Sequence, residues 1–484
     1  MRQLTSVDAQ FLALENPRQT GHVGSLMMLD PSTAPGGELT LDAFQAVIAQ
    51  RLAEVPPLRW RLVEVPFGLD HGYWLDDPDF DLDFHVRELA LPAPGTDDLL
   101  AEQVARIIAR PLDRARPLWE IYLLHGVRGD QMAVLTKIHH ALIDGMSGAE
   151  ILGALLDLSP EIRQVPSADR SPEADRVPGR LELLGRGLLG VAGYPLRVAR
   201  AVPGTLPHLE EVRSLRAVPG LPLLGRVAGA VWRGLGTPNA RGFGGMEAPH
   251  TPFSRPLSAH RRFAFGSLPL AEVKAVKQAH AVTVNDVVVS LCAGALRRWL
   301  VDHDALPDQP LVAQIPISVR TAEEAGTYGN RIMLMTVPLL TTEADPISRL
   351  RATHDALSSM KESQQAMPAA LLADANHFIP PALLSRAAGL SFALSTRWGG
   401  HPLWNLVVSN VPGPQFPLYL AGAKVTATYP VSVITDGMGL NITVMSYRGS
   451  LDFGMVADRD QVPDLETLIA HLREELAVLT RVAA

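Results

Sequence analysis

Apolar and polar positions along the chain change period several times, and each change predicts an element. In "LTLDAFQAVIAQRLAEVPPLRWRL", Phe44, Val47, Ile48 and Leu52 recur at helical spacing, and Pro56-Pro57 stops the helix. "FDLDFHVREL" alternates like a strand, and "DDLLAEQVARIIARPL" reads as a helix ended by Pro111. "PLWEIYLLHG" and "QMAVLTKIHH" read as two strands separated by a turn over Val127 to Asp130. Ser147 to Leu158 reads as a helix, with Ser147 as N-cap, Glu150 completing a capping box, and Met146 and Ile151 forming a staple across the cap. "LTKIHHALIDGMSGAEIL", residues 135–152, is therefore strand, short polar loop, capped helix.

From about 159 to 255 the pattern breaks into short apolar blocks punctuated by Pro and Gly. Between 178 and 236 there are eight Arg and three Glu, an excess of 8 − 3 = +5. A basic, amphipathic, broken-helical stretch suits a crossover linker packed on the protein body, and it also suits contact with an anionic lipid surface. Beyond 260 a second mixed region follows. "HRRFAFGSLPLAEVKAVKQAH" is strand then helix, and "TVNDVVVSLCAGALRRWLVDH" is an apolar helix with Thr283 as its cap. "LVAQIPISVR", "RIMLMTVPLL" and "NLVVSNVPGP" are strands, and "NITVMSYRGSLDFGMVAD" is a hairpin turning near Arg448-Gly449. A closing helix puts Leu465, Leu468, Ile469 and Leu472 on one face. No repeat relates the two regions, and the order lacks the regular strand–helix alternation of a doubly wound sheet.

Composition bounds what such a chain does. Its 484 residues exceed one simple domain, and 47% hydrophobic content supplies two cores. Lys plus Arg is 43 against 51 Asp plus Glu, so the net charge is 43 − 51 = −8. That balance argues against nucleic acid as a partner. The one cysteine, Cys292, excludes an internal disulfide and any cysteine-based metal cluster, and its apolar neighbours make it a core thiol. "MRQLTSVDAQFLALE" carries Asp8 and Glu15 and has no basic start before an apolar run, so it does not read as a secretion signal. No run of about 18 apolar residues predicts a span. The cytoplasm is the expected location, and a mean hydropathy of +0.11 leaves room for apolar grooves or an interfacial surface.

Candidate chemistry concentrates at His139, His140, Asp144 and Gly145. Three readings compete: a metal site, an acid/base catalyst, or a polar loop without chemistry. Adjacent histidines do not readily face one tetrahedral ion, and no third ligand or HExxH helix supports zinc. The strand–turn–helix G-x-S-x-G elbow of a serine hydrolase is absent, since "GMSG" offers Ser147 without it. A neutral histidine titrates near working pH and takes a proton from an alcohol or amine once its tautomer and ring direction are fixed. Asp144 could hold the loop by pairing with an Arg, and Gly145 allows the sharp turn before the helix.

"HHALIDG" resembles the HHxxxDG motif of the coenzyme A-dependent acyltransferase superfamily, which also covers peptide condensation domains. "LTSVDAQFLALE", "RPLWE" at Arg116–Glu120, "VNDVV" at Val284–Val288, "PISVR" at Pro316–Arg320, Gly329-Asn330 and "SNVPGP" at Ser409–Pro414 narrow the choice. Together, from end to end, they resemble the bifunctional wax ester synthase/diacylglycerol acyltransferase family. That resemblance implies an α+β fold of two chloramphenicol-acetyltransferase-like subdomains with mixed sheets. They would occupy 1–158, which carries HHxxxDG, and 261–484, joined by a long crossover at 159–260. It implies an O-acyltransferase with acyl-CoA as substrate, no metal and no resident cofactor. The acceptor would be diacylglycerol or a long-chain alcohol. His140 would be the general base, His139 would shape the loop, and Asp144 would be structural, paired to an Arg with Arg320 as the choice. Asn285, Ser409 and Asn410 are the candidate oxyanion donors; their plain readings are a helix-capping Asn and a turn-forming Ser-Asn. Trp119 reads as core. Contact with the inner membrane or lipid inclusions would be peripheral. The alternatives are a carrier-protein-dependent condensation-type enzyme and a non-enzymatic lipid-droplet protein.

Overall fold

Two six-stranded mixed sheets, each covered by helices, organise the chain in the computed structural model. It describes residues 1–143, 153–165, 178–189, 248–318, 332–365, 402 and 404–483. The predicted cap at Ser147 and Glu150, Asp144, Gly145, Arg320 and most of 178–236 lie outside the described residues.

The first half opens with β1 (Arg2–Gln3), α1 (Ser6–Leu14) and β2 (His22–Asp30). Next come α2 (Leu41–Arg51), β3 (Trp60–Val63), β4 (Tyr73–Asp76), α3 (Leu82–His85) and β5 (Val86–Ala90). Helix α4 (Asp97–Ile108), β6 (Trp119–Val127), β7 (Gln131–His139) and the short α5 (His140–Ile143) complete it. The second half begins with β8 (Arg261–Pro269), α6 (Leu270–His280), α7 (Val284–Asp302), β9 (Leu311–Ser318) and β10 (Ile332–Leu339). Helix α8 (Pro346–Gln365), β11 (Leu406–Val411), β12 (Tyr419–Leu420), β13 (Ala423–Val431), β14 (Leu440–Tyr447), β15 (Ser450–Asp458) and α9 (Glu466–Ala483) follow.

Most predicted elements stand where the periodicity put them. Thr283 caps α7 with a capping box to Asp286. Leu465, Leu468, Ile469 and Leu472 are buried with Cys292 in the core between sheet two and its helices. Burial pushes the Cys292 thiol up to about 12. One expectation needs correction: residues 80–89 are not a single strand. The Asp81 side chain accepts from the Asp83 backbone N–H and starts the one-turn α3 before β5. His85, on that turn, is buried against the Trp119 ring at 4.4 Å.

Sheet one runs β12-β13-β2-β7-β6-β5 and sheet two β10-β9-β11-β14-β15-β8. Among the described strands, β5–β6, β9–β11 and β11–β14 pair in parallel and the rest antiparallel. The strand β7 is interior to sheet one and covered on both faces, because Met132, Val134 and Ile138 enter one core while Ala133 and Leu135 enter another. That double burial is why Met132–Leu135 is a continuous apolar run rather than an alternation.

The sheets do not follow the two halves of the chain. β12 and β13, at 419–431, join sheet one beside β2. The core on that side combines Leu26, Leu124 and Leu135 with α4, and with Phe263, Tyr429 and Val456 of the second half. Gly454 of β15 makes the approach possible, since a Cβ there would lie 1.8 Å from the Pro430 carbonyl oxygen.

Candidate functional site

The described part of HHxxxDG lies at the end of β7. Its last residue, His139, pairs in register with His22 of β2, and His140 opens α5. The strand delivers both histidines because it is paired on both edges almost to its last residue. Within the sheet the register pair Glu120–Lys137 forms a buried ion pair at 3.3 Å, and Tyr122 donates its hydroxyl to Glu120 at 2.8 Å. Burial lowers the Lys137 pKa, against the pull of Glu120.

His139 is 1% exposed. Its Nδ1 accepts the Ala141 backbone N–H at 3.1 Å, which leaves the ring hydrogen on Nε2. Nε2 faces Glu15 Oε1 at 3.1 Å, at an angle short of the ideal hydrogen-bond line. Glu15 Oε1 also accepts the Gly21 N–H at 2.7 Å, and Oε2 accepts Arg114 at 2.8 Å. Burial raises the Glu15 pKa, but His139, Arg114 and the Gly21 amide outweigh it and hold the carboxyl at about 2. Gly21 has to be small here, since a Cβ would stand 2.8 Å from His139 Nε2.

His140 is partly exposed, so its ring is reachable while its backbone is fixed. Its N–H donates to the Gly21 carbonyl at 2.8 Å. Its ring stacks on Phe11 of α1, with centroids 3.9 Å apart and planes 14° from parallel. Helix α1 is itself anchored by the Thr5–Asp8 capping box. A third histidine, His22, is buried and donates to the Ile108 carbonyl at 2.6 Å. Burial, then the nearby Lys137 charge, lowers its pKa to about 3, so it is neutral at working pH.

The other candidates belong to sheet two and α7. Asn410 Nδ2 donates to Asn285 Oδ1 at 3.3 Å, so these two are brought together. Ser409 is not placed with them, because adjacent strand residues point to opposite faces of β11. Neither plain reading holds. Thr283, not Asn285, caps α7, and Ser409-Asn410 lie within β11 before the proline turn. Asp286, next to Asn285, accepts from Thr283 N–H at 2.8 Å and meets His354 Nδ1 at 2.7 Å. Trp119 is fully buried and donates its indole N–H to the Leu58 carbonyl at 2.6 Å.

Sequence reasoning missed Phe11, Glu15 and Gly21 as neighbours of the histidines. Phe11 and Glu15 stand in "LTSVDAQFLALE", a motif that carried resemblance but no assigned contact.

Comparison with known proteins bears on what this arrangement serves. Residues 4–288 match the model of the wax ester synthase/diacylglycerol acyltransferase catalytic domain, and 328–480 match that family's C-terminal domain. A Mycobacterium tuberculosis (strain CDC 1551 / Oshkosh) protein with a diacylglycerol O-acyltransferase name is 38% identical over 468 residues, covering 96% of this chain and 87% of the relative. An O-acyltransferase of Acinetobacter baylyi is 32% identical over 487 residues, covering 100% of this chain and 98% of its own. The solved wax ester synthase/diacylglycerol acyltransferase from Marinobacter aquaeolei VT8 superposes with a TM-score of 0.69 at 29% identity, over 100% of both chains. The first condensation domain of the CDA synthetase shares the fold alone, with a TM-score of 0.54 at 18% identity, over 100% of this chain and 96% of its own.

Proposed function

The chain belongs to the wax ester synthase/diacylglycerol acyltransferase family and is an O-acyltransferase, and we propose that it moves a long-chain acyl group from acyl-CoA to diacylglycerol or a long-chain alcohol, with His140 as general base. The observation that carries this reading is the hold on His140: backbone bonded to Gly21, ring stacked on Phe11, side chain partly open. A general base needs that fixed direction.

The neutral ring accepts the acceptor hydroxyl's proton as the alkoxide oxygen bonds to the thioester carbonyl carbon. The tetrahedral intermediate then expels the CoA sulfur, and the imidazolium returns the proton to it. A thiol with a pKa near ~8.5 is an easy leaving group, so the acid step is undemanding. Asn285 and Asn410 are the favoured oxyanion donors, and Ser409, on the other face of β11, is set aside. Asn285 accepts from Asn410, which leaves its own amide hydrogens to donate. Asp144 remains the structural member of the motif, paired to an Arg, with Gly145 as its turn. The division at 158 and 260, with the segment between as crossover, belongs to the same reading.

Acyl-CoA is the donor substrate, and no resident cofactor enters the scheme. Among the described residues no single helix is long and apolar enough to cross a membrane. Peripheral contact with a lipid surface is part of the proposal. Leu181, Leu188 and Leu189 are exposed on a helical stretch at 180–189 that also carries Arg180 and Arg186, and Phe67 is exposed nearby. The same helix packs Gly187 against Val65 and Leu69, so these apolar groups share one region of surface.

The test uses purified protein, labelled palmitoyl-CoA, and hexadecanol and dioleoylglycerol in competition, with products separated by chromatography. Ester formed from free acyl-CoA supports the reading; turnover only with a carrier-bound acyl donor would replace it with the condensation-type alternative. His140→Ala is expected to lower turnover by roughly 10²–10⁴-fold with an unchanged circular dichroism spectrum. Near-normal turnover of that variant would remove His140 from the role.

A further inference from the structure

We propose that Glu15 is a positioning residue for His140, clamping the end of β7, the Gly21 peptide and α1 into one rigid frame. The inference rests on His140 as general base and goes beyond the HHxxxDG motif, which lies more than a hundred residues away in sequence.

Three links run through one carboxylate. Oε1 takes the Gly21 N–H, and the carbonyl of that same residue takes the His140 N–H. Fixing Gly21 therefore fixes the backbone at His140. Oε1 also faces His139 Nε2, while the other nitrogen of that ring holds the Ala141 N–H. This second link sets the chain on both sides of His140. Oε2 takes Arg114 Nη2, which also donates to the Leu12 carbonyl at 2.8 Å, while Nη1 of the same side chain donates to Glu64 at 3.1 Å. That third link fixes the last turn of α1, which presents Phe11 to the His140 ring.

The loop between Glu15 and Gly21 is braced from the second half as well. Gln19 Oε1 accepts the Asp436 N–H at 2.9 Å, its Nε2 donates to the Leu14 carbonyl at 3.0 Å, and Arg261 donates to the Arg18 carbonyl. Glu15 is thus the point where α1, the approach to β2 and the end of β7 meet, and the loop that follows it is held by the opposite half through Arg18 and Gln19. The arrangement is charged throughout the working range, since the carboxyl is held at about 2. A frame of this kind affects the rate through geometry, because small displacements of a reacting group are expensive in transfer chemistry.

Substitutions separate a positioning role from a general loss of stability. Glu15→Gln keeps an oxygen for Gly21 and His139 but turns an amide donor toward Arg114, so it loses the third link and the charge. Glu15→Ala loses all three links. Gly21→Ala keeps Glu15 but drives a methyl group against His139 Nε2. Each full-length protein is assayed with palmitoyl-CoA and dioleoylglycerol beside His140→Ala, and folding is followed by circular dichroism and thermal unfolding. Glu15→Ala and Gly21→Ala are expected to lose about 10- to 100-fold in kcat while KM for both substrates stays within about twofold. Glu15→Gln, which keeps two of the three links, is expected to recover part of the lost kcat. Folded Glu15→Ala with wild-type kcat, or a rise in KM with kcat unchanged, would overturn the proposal. If Glu15→Ala does not fold, folded Gly21→Ala with wild-type kcat overturns it instead. An inactive His140→Ala beside an active Glu15→Ala defeats this inference alone, whereas an active His140→Ala defeats the general-base reading beneath it.

Discussion

His22 shows how a single buried side chain sets a property of the whole protein. It sits beside the histidine pair in sheet register, and burial and Lys137 hold its pKa at about 3 against an ordinary 6.5. The folded form therefore binds the proton less well than the unfolded chain does. Stability from this residue is complete above pH 6.5 and is lost as the pH falls from there toward about 3. The thermal midpoint of wild type is expected to drop across that window, and His22→Gln is expected to flatten part of the drop. Glu15, held at about 2 against an ordinary 4.5, loses its contribution as the pH falls from 4.5 toward about 2, so thermal scans between pH 6.5 and 4.5 report His22 apart from Glu15.

At the scale of elements, α7 carries the clearest local logic. Thr283 and Asp286 form a reciprocal capping box at the start of a 19-residue helix, and the Asp286 carboxylate is shared with His354 of α8. Thr283→Ala is expected to cost about 1 kcal/mol in urea unfolding, the ordinary value of an N-cap. Since Asn285 lies inside that first turn, the same change is expected to loosen its contact with Asn410. Helix α1 repeats the device with Thr5 and Asp8 and supports Phe11 and Glu15. In both elements a cap written in four consecutive residues holds a side chain whose partner is far away in sequence.

At the scale of the molecule, the exchange of β12 and β13 into sheet one ties the halves together. Without them β2 becomes an open edge, with Met28, Leu26 and their neighbours stripped of cover. A protein of residues 1–260 alone is therefore expected to aggregate or to unfold without cooperativity. Gel filtration and a thermal scan against the full chain check this. Recovery of a monomeric, cooperatively unfolding fragment would mean that the second half's strands are dispensable to sheet one.

What the sequence determined by itself is what short stretches decide. Periodicity and turn chemistry located the helices at 41–51, 97–108 and 284–302, the hairpin at Arg448-Gly449, and the apolar strand leading to His139. Apolar surroundings marked Trp119 and Cys292 as core. The ordered motifs pointed to the family that the whole-chain comparisons show. The tertiary structure decided what depends on distant segments meeting. "AKVTATYPV" carries the composition of a strand but no sign of which sheet receives it. Residues 80–89 alternate like one strand, yet a local Asp81 cap competes and wins the first turn. Phe11 on His140, Glu15 on His139 and Asn410 on Asn285 each join residues more than a hundred positions apart. Local pattern encodes the period and caps of an element, because those energies act within a turn or a strand. Which elements face one another is set by the burial of their apolar faces together, and that sum exists only in the folded chain.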